Sequence, residues 1–92
     1  MDILEVKNLW SEVKNDLKEN VPAPAFQMWM DALEPADFDG NVFFLITVHS
    51  LAPQVIKANY DSQILEAFKK VLGREVSYQI TFDADLADNY HK

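Results

Sequence analysis

Apolar residues return at helical spacing through the first twenty positions. Ile3, Val6, Trp10, Val13 and Leu17 form one stripe, which Leu9 widens. Asp2 is placed to cap this helix, with Glu5 three residues on as in a capping box. The opposite face carries Lys7, Glu12, Lys14, Lys18 and Glu19, a solvated surface. Val21-Pro22-Ala23-Pro24 stops the pattern, because proline has no N–H to donate and disfavours helical geometry in the residue before it. Pro24 suits the first turn of a short second helix, predicted over 24–33. There Phe26, Trp29, Met30 and Leu33 share one face, and its plain reading is packing against the first helix.

Pro35 ends that helix, and the period then changes to two. A short strand over 36–38, an Asp39-Gly40 two-residue turn and a strand over 42–48 read as a hairpin. The second of these strands is almost continuously apolar, which suggests burial on one face and partial cover on the other. Ser50 is a candidate cap for a third helix over 51–72, with Pro53 tolerated in its first turn. Ala52, Ile56, Tyr60, Ile64, Phe68 and Val71 trace its core face, and Asp61-Ser62 is a candidate break. Gly73 follows Lys69 and Lys70 as a C-terminal cap. Val76, Tyr78, Ile80 and Phe82 alternate with Glu75, Ser77, Gln79 and Thr81, a half-buried strand. Residues 83–92 lack periodicity and read as an acidic tail or the start of a linker. The order α-α-β-β-α-β gives an α+β fold of three helices packed on a three-stranded sheet.

The chain's 92 residues suit one small domain, and 49% hydrophobic residues suffice for a core. Fifteen acids against eight bases give a net charge of −7, which argues against a module that grips duplex phosphates by electrostatics. With no cysteine there is no disulfide framework, thiolate nucleophile or cysteine-ligated metal. No run approaches ~20 apolar residues, and acids stand where a signal peptide needs bases, so a cytoplasmic setting without membrane contact is the expectation.

The inventory for catalysis is thin. His49 and His91 are the only histidines and Arg74 the only arginine, and no phosphate-cradling glycine loop or helix-borne zinc motif occurs. Neither an enzyme nor a cofactor is expected. Asp31, Glu34, Asp37 and Asp39 lack calcium-loop spacing and read as surface acids rather than a metal site. An αα-ββ-α-β order resembles RNA-binding KH folds, but the link between the first two helices has no Gly-x-x-Gly and no base. Lys57, Lys69, Lys70 and Arg74 make either a small basic patch or ordinary solubilising and dipole-matching charges. At most a weak, salt-sensitive contact with single-stranded DNA follows. Protein–protein recognition is the function class that remains.

One pattern is more specific. Leu9-Trp10, then Phe26-Gln27-Met28-Trp29-Met30 with Leu33, the aliphatic strand to Val48, Leu51 with Val55-Ile56 and Tyr60, and the Val76, Ile80, Phe82 strand together resemble domain I, the N-terminal domain, of the bacterial replication initiators of the DnaA family. The resemblance covers roughly Val6 to Phe82. It implies a KH-like interaction domain over 1–82 with no catalytic role. Its implied partners are other initiator molecules, the replicative helicase and initiation regulators at the origin. It places self-association at Trp10, although the helical stripe equally places Trp10 in the core. It places partner binding at Ala25 and Phe26 and at His49, Leu51 and Ala52. Two positions depart from the family: Ala25 stands where many members carry an acid, and Val48-His49-Ser50 replaces a common Ala-Pro-Asn. A stand-alone adaptor or regulator that binds the initiator or helicase through this domain is the alternative.

Overall fold

The structure, a computed structural model, describes residues 2–85. Helix α1 (Ile3–Asn20) begins where the Asp2 carboxylate accepts the Leu4 N–H at 2.7 Å. Val6, Trp10, Val13 and Leu17 are buried along it, as the stripe requires. Ile3 is not, because the first turn lies beyond the cover that α4 and β1 give the rest of the helix. The short helix α2 (Ala23–Ala25) starts on Pro24 and runs directly into a π-helical turn (Phe26–Met30), in which the Asp31 N–H reaches back five residues to the Phe26 carbonyl at 2.9 Å. The wider turn brings Phe26 and Met30 inward together and leaves Trp29 only half-buried. The helix ends at Met30, three residues short of the predicted end.

Strands β1 (Glu34–Phe38) and β2 (Val42–Thr47) form an antiparallel hairpin, with a bulge between Pro35 and Asp37. The connection has three residues instead of two. The Asp39 carboxylate accepts the N–H groups of both Asn41 and Val42 at 2.8 Å, and Gly40 sits at φ 99°, where a side chain would be strained. The predicted third helix is two helices, α3 (Ala52–Asn59) and α4 (Asp61–Leu72), broken at the Tyr60–Asp61 step. Ser50 does not cap α3. The buried Thr47 hydroxyl accepts the His49 N–H at 3.1 Å, and the His49 carbonyl accepts from Ala52. Gly73 ends α4 in the left-handed region at φ 74°. Strand β3 (Ser77–Phe82) then pairs parallel to β2, so the sheet is mixed and its order is β1-β2-β3.

All the helices lie on one face of this sheet. Phe38, Phe43, Leu45 and Val76 point into them, and Val42, Phe44 and Ile46 stay half-buried on the far face. At the centre Phe43 and Phe68 lie 5.0 Å apart, with Trp10 6.2 Å from each. The α3–α4 break is latched to the sheet. The Tyr78 hydroxyl donates to the Asp61 carboxylate at 2.6 Å, and Lys57 pairs with Asp61 at 3.4 Å while lying over the Tyr78 ring.

This latch predicts a pH signature. The Tyr78 hydroxyl, and then Lys57, hold the Asp61 carboxyl below its ordinary 3.8. Folding therefore disfavours the Asp61 proton. The resulting stability is complete above that ordinary value and is lost as pH falls through the lowered one. Burial, and then the Asp61 charge, push Tyr78 above its ordinary 10.0, so its contribution is complete below 10.0 and is lost as pH rises further. Tyr78→Phe keeps the ring, removes the tyrosine's dependence and removes the larger cause of the aspartate's, leaving Lys57. Denaturation midpoints followed from about pH 3 to about pH 11 should show a flatter profile for the variant at both ends.

Candidate protein-docking edge

The π-helical turn and the start of α3 meet at one end of the helical layer. The Trp29 ring stands edge-on to His49, centroids 6.5 Å apart and planes 80° apart. Two residues beyond His49, Leu51 is 58% exposed, and Met28, next to Trp29, is 59% exposed. Ala25, which leads into the π turn, is half-buried. Large apolar side chains left in water at a structured edge are the usual material of a protein contact.

The residues singled out from sequence divide here. His49, Leu51 and Ala25 reach the surface. Phe26 and Ala52 are buried, Phe26 because it shares the inward face with Met30 and Ala52 because it begins the core face of α3. These two support the edge from beneath and cannot themselves touch a partner. Trp10 is likewise a core residue, 4% exposed, and its indole N–H donates to the buried Leu33 carbonyl at 3.2 Å. Of the two positions that the sequence leaves open for Trp10, its ring takes the core one. The exposed apolar groups near it are Ile3 and Leu4 in the first turn of the helix that it anchors. Trp29 and Met28 were assigned to no contact from sequence. Helical spacing already sets Met28 opposite Phe26, whereas Trp29 moves off the Phe26–Met30 face only in the wider turn, which nothing in a 3.6-residue period marks.

The basic patch dissolves into pairs. Lys69 meets Glu75 at 4.0 Å and Lys70 meets Asp16 at 3.3 Å. Arg74 donates to the Gly40 carbonyl and lies over the Phe38 ring, and Lys57 serves the latch. Among the described residues no three histidine, aspartate or glutamate side chains gather as a metal site, and no helix is long and apolar enough to cross a membrane. The acidic segment 83–92, His91 included, lies outside the described residues beyond position 85.

A family model of the DnaA N-terminal domain matches residues 7–70, which take in most of α1, the π turn, the hairpin, α3 and most of α4. The chain belongs to the DnaA N-terminal domain family. It is similar to the chromosomal replication initiator protein DnaA of Nostoc sp. strain PCC 7120, with 27% identity over 78 residues, 85% of this chain. The same protein of Trichormus variabilis is 24% identical over 78 residues. The chain spans 17% of the length of these relatives. Within this DnaA N-terminal domain Trp10 is thus an internal anchor. Its hydrogen bond fixes the segment that leads from the π turn into β1.

Trp10→Ala should remove the folded circular dichroism spectrum or lower stability by about 3–5 kcal/mol, the usual cost of emptying a buried indole site. Leu51→Glu, at an exposed position, should shift stability by no more than about 0.5 kcal/mol. Thermal and denaturant melts of the two variants check both.

Proposed function

We propose that this domain is the protein-docking module of a replication initiator. In this reading it lets initiator copies associate and recruits the replicative helicase and initiation regulators at the origin. The observation that carries the reading is the docking edge itself: Met28, Leu51 and the Trp29–His49 pair expose apolar and aromatic surface on a rigid, acidic domain of the initiator's family. Such a surface takes a partner's apolar side chains in its middle. The net charge of −7 steers basic partners toward it and keeps it off the phosphates of the origin.

Self-association starts from the first turn of α1, where Ile3 and Leu4 are exposed and Trp10 holds the helix in place. Ala25 in place of a family acid removes a charge from the docking edge, so contact there relies more on Leu51, Met28 and Trp29. The domain has no catalytic part in this reading, and it works in the cytoplasm. Each contact is weak by itself and becomes effective when many initiators line up on DNA, because linkage raises the local concentration.

Leu51→Glu should abolish capture of the purified replicative helicase by the immobilised domain, while the circular dichroism spectrum stays that of the native chain. Undiminished capture by this variant would remove the edge from the proposal.

A further inference from the structure

The two edges of the sheet are built differently. β1 presents Pro35, a bulge, Glu34 and Asp37, the devices that keep an edge from pairing with another strand. β3 has none of them. Its sequence, Ser-Tyr-Gln-Ile-Thr-Phe, contains no charge, proline or glycine, and its pairing with β2 is regular throughout. Ser77 donates to the Asn41 carbonyl at 2.9 Å and Asp83 to the Thr47 carbonyl at 3.0 Å. In a parallel ladder alternate residues turn both backbone groups to the same neighbour. Ser77, Gln79 and Thr81 therefore face β2, and the N–H and C=O groups of Tyr78, Ile80 and Phe82 point away from it. No strand pairs with that side among the described residues. Open grooves flank it, one past Leu65 and Lys69 and one past Pro53 and Lys57.

We infer that β3 is a self-pairing edge, on which a second copy of this chain adds its own β3 antiparallel to form a continuous six-stranded sheet. Centring the two-fold axis on Ile80 sets Ile80 opposite Ile80, and Tyr78 opposite Phe82 of the second copy. All six outward residues then lie in hydrogen-bonded pairs. The register also gives a role to Phe82, which is 39% exposed although its side chain points to the helical face. In the pair it packs against the second copy's Tyr78. On the other face Gln79 meets Thr81, and no charged side chains oppose each other within the ladder. The neutral, self-complementary register selects this occupant. Two chains of −7 repel over most of their surface, and the neutral strand is where they can close. Glu75 and Asp85 approach just past the ladder ends, so salt should strengthen the pair.

This inference deepens the self-association part of the proposed function with a surface separate from both the docking edge and the start of α1. Two such surfaces on one chain, each closed about its own two-fold axis, string copies into a row. The test uses the 92-residue chain and exposed positions. Gln79→Lys with Thr81→Lys, or Gln79→Glu with Thr81→Glu, sets like charges across the axis twice. Sedimentation equilibrium should show each double variant dimerising about tenfold more weakly than the native chain. An equimolar mixture of the two should restore the dimer, and both should still capture helicase. Amide hydrogen exchange at Tyr78, Ile80 and Phe82 should slow as native protein concentration rises. Exchange at these amides that is independent of concentration, or charged variants that associate like the native chain, would overturn the inference. So would a mixture that fails to associate.

Discussion

The domain hangs on one aromatic contact. Phe43 from the central strand, Phe68 from α4 and Trp10 from α1 meet within 6.2 Å of one another, so three elements far apart in the chain share one point. A small domain buries little, and rings that each cover a large area carry a large part of what it has. Trp10 adds a direction to that burial. Its N–H needs an acceptor once the ring is inside, and the Leu33 carbonyl supplies one. That bond fixes where the chain leaves the π turn, which sets Trp29 against His49. The core and the candidate contact surface are therefore coupled through a single side chain. A change at Trp10 can weaken partner binding without the indole ever touching a partner.

Charge separates what this surface can meet. With −7 on 92 residues, the lysines that look free in the sequence are spent on neighbours, Lys14 on Asp31, Lys70 on Asp16 and Lys57 on Asp61. Exposed pairs of this kind add little stability. Their consequence is electrostatic, since they leave no concentrated positive field to hold a phosphate backbone. What remains at the surface is negative charge interrupted by apolar residues at a few structured places. That composition favours proteins with basic rims around apolar anchors.

Most of the fold could be read from periodicity, since burial of one face is what periodicity records. The α1 stripe from Val6 to Leu17, the Ala52–Ile56–Ile64–Phe68 face and the alternation through Tyr78 all appear where the spacing put them. The failures share a cause. The π turn, the Thr47 hydroxyl taking the His49 N–H ahead of an α3 that no side chain caps, and the three-residue hairpin closed by Asp39 are each set by hydrogen bonds between groups two to five residues apart, which hydrophobic spacing does not record. Spacing at 3.6 residues per turn put Trp29 with Phe26 and Met30, and one five-residue backbone bond separates them. For Trp10 the stripe and the family resemblance pointed in different directions. The accepting carbonyl, twenty-three residues away, decides for the interior.

The sheet of this acidic domain treats its two edges in opposite ways. A strand edge is a standing invitation to another strand, and a domain that must stay monomeric alone blocks both of its edges. Here one edge carries proline, acids and a bulge, and the other carries only neutral β-forming residues. Self-repulsion across −7 charges opposes the unblocked edge at low concentration, so the strand needs no block of its own. Holding copies side by side changes that balance, because the entropy of bringing them together has already been lost and only the local repulsion is left to overcome. An edge left open in this way would close more readily between copies held together than between the same copies free in solution.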